Sequence, residues 1–375
     1  MDNVALSAMS AQQSNRTHLV VMSGDGIGPE ITAATLQVLR EVDRLLALNL
    51  SFEEATIGLA ALKTHGTTFP EAAYEQAKRA DGVILGPVSH NVYPPTDQGG
   101  INPSGALRKR LDLYANVRPA RTPPGMQPRI PGKPVDLVVM RENTEGFYAD
   151  RNMFMGSGEF MPTPDVALAV RKITRVGSTR IAEAGFKLAM QRPRKKVTVV
   201  HKANVLRMSD GLFLECTRAV AARYPQVTVD EQIMDAMAAL LVRDASRFDV
   251  IVTTNAFGDI LSDEASEIAG SLGLAASINH GDEHGVAQAQ HGSAPDIEGQ
   301  DKANPASLIG SVAMLLAWLG ERRRAGNLTS AAALIERALE KTVENPQWRT
   351  ADLGGPLGTK AFGERVTKTV AELAK

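Results

Sequence analysis

The sequence predicts an α/β protein of two domains or one large one, and three observations carry that expectation. Its 375 residues exceed what one ordinary hydrophobic core organises. Short β-branched or apolar runs alternate with helix-length stretches almost from end to end, the pattern of a parallel or mixed sheet covered on both faces. The composition, 43% hydrophobic and 22% charged, is that of a globular chain with a sizeable core.

The first strand signal is HLVVM, residues 18–22, which runs into SGDGIGPE at 23–30 and then a helical stretch with Pro29 near its first turn, where a missing N–H costs least. Strand, glycine turn and helix in that order invite comparison with the dinucleotide fingerprint G-x-G-x-x-G. Here the glycines are Gly24, Gly26 and Gly28, and Pro29 stands where the third glycine should be, so the fingerprint fails. The turn still lies at the carboxyl end of a strand, where α/β proteins place ligands, although glycine there needs no ligand to explain it.

Further strands are expected at GVILG, VDLVVM, KVTVVH and FDVIVTTN. Between them, PVSHNVYPPTDQGGINPSG is the longest irregular connection, a length usually reserved for function. The stretch MFMGSGEFMPTP breaks the rhythm and reads as a hairpin of two apolar strands around a GSGE turn. Such a hairpin cannot bury both faces by itself, so it packs either on its own domain or on a partner.

Forty-one basic residues against forty-two acidic ones leave a formal charge of −1, which argues against general polyanion binding. The single cysteine, Cys216, sits in the apolar pattern of GLFLECTRAVAARY and reads as a core thiol. No intrachain disulfide can form, as expected of a reducing compartment. The first seventeen residues lack the features of a signal peptide and no run is long enough to span a bilayer, so a cytoplasmic protein is expected.

Three stretches carry chemistry. LRKRLDLYANVRPAR and VVMRENTEGFY place Arg108, Arg118 and Arg141 near strand and helix ends, and arginine forks that converge would suit a polycarboxylate. NAFGDILSDEAS carries Asp259 and Asp263 at i, i+4, on one helix face, where a divalent cation would relieve their repulsion; Asp235 could add a third oxygen ligand suited to Mg²⁺ or Mn²⁺. HGSAPDIEGQDKANP, before the helix ASLIGSVAMLLAWLG, can wrap a nucleotide with backbone groups while Asp296 accepts from ribose hydroxyls.

With these residues in view the chain resembles the β-decarboxylating dehydrogenases, the family of isocitrate, 3-isopropylmalate, homoisocitrate and tartrate/malate dehydrogenases. SGDGIGPE, LDLYANVRPAR, RENTEGFY, HKANVLRMSDGLF, FGDILSDEAS, GSLGL and HGSAPDI occur in family order from about residue 18 onward. The resemblance implies a two-domain isocitrate/isopropylmalate dehydrogenase-like α/β fold that is not a Rossmann fold, with 1–113 and 270–375 in a large domain bearing the NAD loop. Residues 114–269 would form a smaller domain with the dimer interface and a clasp at the GSGE hairpin.

The resemblance also implies the site. Tyr148 and Lys202 would be the acid/base pair, and Arg108, Arg118 and Arg141 would clamp a (2R,3S)-malate-type 2-hydroxy acid. Asp259 and Asp263 would hold Mg²⁺ or Mn²⁺, joined by Asp235 from the neighbouring subunit of a homodimer. NAD would lie against His291, Gly292, Ser293, Ala294, Pro295, Asp296, Ile297 and Asn304, Asp296 with Ile297 marking NAD rather than NADP. Gln288 stands where the family often has Glu, so the nicotinamide-side contact is expected to differ.

Substrate choice in this family is made on the helix before Arg108. This chain presents Asn102, Pro103, Ser104, Gly105 and Ala106 there, with no leucine pair to receive an isopropyl group. Ser104 and Asn102 could bond a distal carboxylate, which favours a tricarboxylate of the isocitrate or homoisocitrate kind over isopropylmalate, tartrate or D-malate. A reading from another class is a non-catalytic regulatory subunit of a hetero-oligomeric dehydrogenase. The presence of Tyr148, Lys202 and all three aspartates argues for an active enzyme.

Overall fold

A computed structural model describes residues 16–148, 153, 155–156 and 158–375. Residues 1–15, on which the reading of the N-terminal segment rests, and Ser157 of the GSGE turn lie outside them. The chain divides into two compact units, Met1–Pro103 with Gly285–Lys375, and Ser104–His284. Residues 104–113 and 270–284 fold with the second unit. The Leu113 N–H donates to the Arg108 carbonyl at 2.9 Å, and the strand Ile278–His280 pairs antiparallel with Ala115–Arg121, which explains their place.

The first unit begins with β1 (Thr17–Met22), α1 (Gly28–Leu46), β2 (Leu50–Glu54), α2 (Gly58–His65), α3 (Glu71–Arg79) and β3 (Gly82–Leu85). Pro29 lies in the first turn of α1, as its sequence position predicts. The connection from 87 to 102 has two short 3₁₀ turns, His90–Val92 and Thr96–Gln98.

In the second unit follow α4 (Pro103–Arg110), β4 (Ala115–Arg121), β5 (Asp136–Glu142), β6 (Glu159–Thr163), β7 (Val166–Ala169), α5 (Arg175–Gln191), β8 (Lys196–His201) and α6 (Ser209–Ala221). It continues with β9 (Thr228–Ile233), α7 (Met234–Asp244), β10 (Val250–Thr253), α8 (Asn255–Ala269) and β11 (Ile278–His280). The chain then returns to the first unit with β12 (Gly285–Gln288), α9 (Ala306–Arg323), α10 (Gly326–Glu344) and α11 (Thr359–Leu373).

The strands run β2-β1-β3-β12 in the first unit, with β1, β2, β3 and β12 parallel to their neighbours. In the second they run β11-β4-β5-β10-β8-β9, antiparallel at β11-β4-β5 and parallel beyond. Period-two alternation explains how one sheet serves two cores. Val138 and Met140 of β5 and Val250 and Val252 of β10 pack with Ile181 and Phe186 of α5 and Phe213 of α6. Leu137, Val139 and Ile251 point the other way, to Met237 and Leu241 of α7 and Leu261 of α8. Strands buried on both faces read as the unbroken apolar runs seen in the sequence.

The hairpin is present but its turn is not GSGE. Strands β6 and β7 pair Phe160 with Leu168 and Thr163 with Val166, so the reversal falls at Pro164–Asp165 and GSGE leads into β6. Proline and aspartate are better turn formers here than the glycines, which the apolar run around them obscured. Every residue of both strands is exposed, Phe160 at 50% and Met161 at 63%. Cys216 is a buried free thiol, as expected. No helix among the described residues is long and apolar enough to cross a membrane.

Candidate active site

The three arginines are brought together. Arg118 leaves β4 and Arg141 leaves β5, adjacent antiparallel strands in which Asn116 pairs with Arg141 and Arg118 with Val139. Arg108 comes from α4. All three are buried, Arg141 with 2% exposure, which is unusual for arginine unless its charge is met.

The charge is met on α8. Arg118 Nη1 donates to Asp259 Oδ1 at 3.1 Å, Ser262 Oγ at 2.8 Å and Asp263 Oδ1 at 3.4 Å. Arg141 Nη1 is ion-paired with the same Asp259 oxygen, while its Nε and Nη2 hold Asn255 Oδ1 at 3.0 and 2.7 Å. Burial pushes the Asp259 carboxyl up, but the guanidinium groups of Arg141, Arg118 and Arg108 outweigh it and hold it below the usual range. Gly258 permits this approach, because a Cβ there would stand 2.7 Å from Arg141 Cβ.

The helical spacing of Asp259 and Asp263 thus puts both carboxylates against one guanidinium nitrogen, a set of hard oxygen donors converging on one point. That donor chemistry fits a hard divalent cation. Asp235 is not among them. At the start of α7 it is ion-paired through Oδ1 with Lys202 Nζ of its own chain, and that bond holds its carboxyl below the usual range. Among the described residues no three His, Cys, Asp or Glu side chains gather as a complete metal centre.

Lys202 follows β8 directly, on a turn closed by Leu206 N–H to its carbonyl at 2.8 Å. Tyr148 stands six residues after β5 and is half-buried. Ser104 is buried in α4, four residues before Arg108 and therefore on the same helix face; Asn102 precedes the helix and belongs to the first unit.

In the first unit, the glycine turn is built against the HGSAPDI loop. The Ile27 N–H donates to the Ser293 carbonyl at 2.9 Å, and a Cβ on Gly26 would lie 2.1 Å from that oxygen. Ser293 Oγ also meets Ser89 Oγ at 2.8 Å. His291 Nε2 is buried without a hydrogen-bond partner among the described residues, and burial lowers the ring's affinity for a proton. A neutral, unsatisfied imidazole beside the open Gly292 fits a polar, flat ligand.

Ala294 is left-handed at φ 38°, and Pro295–Ile297 form a 3₁₀ turn that leaves Asp296 exposed. The Asp296 carboxylate takes no hydrogen bond from the described residues; only its backbone carbonyl is used, by Gln300 Nε2 at 2.7 Å. It does not cap the turn. Asn304 is differently placed: its side chain binds Asp352 Oδ2 and the Ala306 N–H, both at 3.0 Å.

Two acids escaped the sequence reading. Asp25, buried within SGDGIGPE, accepts from Leu59 N–H at 2.7 Å, Ser89 N–H at 2.9 Å and the Tyr93 hydroxyl, tying the long connection to the turn. Burial and that aspartate push the Tyr93 hydroxyl well up. Asp210, within HKANVLRMSDGLF, is fully buried beside Lys202. An ionisable residue inside an apolar or glycine motif was the available signal in both cases.

The isocitrate/isopropylmalate dehydrogenase family description matches residues 18–366. This chain belongs to that family. It is a dehydrogenase, an oxidoreductase of the decarboxylating kind, and the family uses a nicotinamide dinucleotide with a divalent metal. It is 42% identical over 357 residues to the isocitrate/homoisocitrate dehydrogenase of Thermus thermophilus, covering 95% of this chain and 99% of that one. It is 37% identical over 350 residues to the 3-isopropylmalate dehydrogenase of Saccharolobus solfataricus, covering 93% and 98%. The crystal structure of isocitrate dehydrogenase from Methylococcus capsulatus superposes with a TM-score of 0.84 at 37% identity, covering 94% of this chain and 99% of that chain. The glycine turn that fails the dinucleotide fingerprint packs instead against the 291–297 loop of its own unit.

Proposed function

We propose that the enzyme oxidises and decarboxylates a malate-type 2-hydroxy acid bearing a third carboxylate, of the isocitrate or homoisocitrate kind, with NAD and Mg²⁺ or Mn²⁺. The observation that carries this is the shared coordination of Asp259 by Arg118 and Arg141 with Arg108 close enough to lower it. Three guanidinium cations against two carboxylates leave one positive charge in excess, and a divalent cation raises that excess to three. That is the complement of a fully ionised tricarboxylate, whereas 3-isopropylmalate carries one negative charge fewer.

In this reading NAD on 291–297 supplies the hydride acceptor, and a divalent cation on Asp259 and Asp263 supplies Lewis-acid polarisation of the substrate oxygen. The chain's own side chains do the rest. Arg108, Arg118 and Arg141 bind the carboxylates bidentately and fix the 2-carbon in place. Lys202 takes the proton of the 2-hydroxyl, and Tyr148 gives a proton to the carbon that has lost CO₂. Ser104, on the face of α4 that bears Arg108, donates to the distal carboxylate, with Asn102 beside it.

A cytoplasmic homodimer with shared sites completes the proposal. The exposed apolar ribbon β6–β7 and the separation of Asp235 from Asp259 and Asp263 support the dimer, and the buried lone cysteine supports the compartment. The test is NADH production from isocitrate, homoisocitrate, 3-isopropylmalate, tartrate and D-malate with Mg²⁺. Preference for either tricarboxylate supports the reading. Preference for isopropylmalate or a small acid overturns the substrate assignment, and no turnover with any of them favours a regulatory subunit.

A further inference from the structure

Asn255, the first residue of α8, is fully buried, and its side-chain amide joins two parts of the proposed site. Oδ1 accepts from Arg141 Nε at 3.0 Å and from Arg141 Nη2 at 2.7 Å, while Nδ2 donates to the Glu145 carbonyl at 3.0 Å. One turn later on the same helix face, Asp259 takes the other end of that guanidinium, at Nη1. Every polar group of Glu145 is held. Its N–H donates to Glu142 Oε2 at 2.8 Å, and its carboxylate accepts from the Thr174 hydroxyl and, at 2.8 Å, from the Thr174 N–H. Gly146, left-handed at φ 78°, exchanges two backbone hydrogen bonds with Lys172, at 2.7 and 3.0 Å, and a Cβ on it would stand 3.2 Å from Asn255 Cβ.

We propose that Asn255 is a positioning residue that sets Tyr148 in register with Arg141 of the same chain. This rests on reading Tyr148 as the proton donor and Arg141 as a carboxylate ligand. Asn255 acts through others, through the guanidinium on one side and through the peptide that leads to Tyr148 on the other. Helix capping does not explain it: the N-cap of α8 is Thr254, and Arg141 fills both lone pairs of Asn255 Oδ1. A guanidinium only donates and a carbonyl only accepts, so the amide has one orientation here. A carboxylate of that shape would lose the donor, and an apolar side chain would satisfy neither neighbour. Because β5 ends at Glu142, the chain from there to Tyr148 takes its course from such bonds rather than from a continued strand. The amide therefore fixes the acid's segment relative to the arginine that binds substrate, with Asp259 of the same helix on that arginine's far end.

The experiment places Asn255→Ala and Asn255→Asp in the full-length enzyme, each alone and combined with Tyr148→Phe. Asn255→Ala frees both neighbours. It is expected to lower kcat by about 10- to 100-fold, the scale of an ångström-sized misplacement. KM for the hydroxy acid should rise about two- to tenfold, the cost of ordering an arginine no longer held in advance. KM for NAD should stay within about twofold, because the loop proposed to bind it belongs to the other unit. Asn255→Asp keeps the acceptor for Arg141 and loses the donor to Glu145, so its loss should fall mainly on kcat. In the Tyr148→Phe background, either substitution should lower kcat by no more than about twofold further, since an acid that has been removed cannot be misplaced. If Asn255→Ala does not fold, the Asn255→Asp cycle carries the same reading. Parental kcat in the Asn255 variants, or losses that multiply in full with that of Tyr148→Phe, overturn the positioning role. Losses that follow the unfolded fraction in thermal melts do so too, and an unchanged KM for the hydroxy acid in Asn255→Ala overturns the register with Arg141. Parental turnover in Tyr148→Phe overturns the acid reading itself, an outcome distinct from an impaired Tyr148→Phe beside unimpaired Asn255 variants.

Discussion

Ile27 and Ser293, far apart in sequence, are joined by a 2.9 Å hydrogen bond from the first residue's N–H to the second's carbonyl. Gly26 makes the approach possible: it is left-handed at φ 58°, and a side chain there would strike the same oxygen. Gly26→Ala should cost roughly 1–2 kcal/mol in backbone strain alone and lower Tm by several degrees. It should also raise KM for NAD while leaving KM for the hydroxy acid in place, because the displaced oxygen belongs to the HGSAPDI loop. Steady-state kinetics with each substrate varied in turn, beside a thermal melt, check both halves. An unchanged KM for NAD would detach the turn from cofactor binding.

Tyr148→Phe should retain hydroxy acid and NAD binding and lose turnover by about 10² or more, the scale for removing a general acid. Isothermal titration together with kcat measurement separates the two. Near-parental turnover would remove Tyr148 from the mechanism.

Asp259 and Asp263 converge on Arg118 Nη1, and the reading of that pair as cation ligands makes activity metal-dependent. EDTA should abolish NADH production, with Mg²⁺ or Mn²⁺ restoring it. Asp263→Asn should raise the metal concentration needed for half activity by about tenfold or more, as expected when a hard cation loses a charged oxygen. Full activity in chelator would sink the assignment.

The exposed carboxylate of Asp296, which takes no hydrogen bond among the described residues, should select NAD over NADP. Repulsion from a 2′-phosphate a few ångströms away costs on the order of 1–4 kcal/mol, a discrimination of about tenfold to several hundredfold in kcat/KM. Comparing kcat/KM for the two cofactors settles it, and equal values would remove Asp296 from selectivity.

Strands were legible wherever burial on both faces leaves an unbroken β-branched run: VDLVVM became β5, KVTVVH β8 and FDVIVTTN β10. Arg108, Arg118, Arg141, Asp259 and Asp263 were legible as residue types at telling spacings. What was not legible is which charge meets which. Arg171 and Asp210 are 39 positions apart, and only the fold makes them neighbours. The hairpin turn was misplaced for a local reason, since glycines drew attention away from Pro164–Asp165. Asp25 was hidden among glycines that already explained the turn.

The ribbon β6–β7 is a two-stranded sheet with solvent on both sides, and such a sheet has little order of its own to draw on. In the proposed homodimer a second subunit orders it, and that supply obeys mass action. Diluting the enzyme would loosen this segment first, and with it the neighbouring Gly146–Lys172 bridge that leads to Tyr148. Specific activity would become a property of the concentration at which the protein is kept as well as of the molecule.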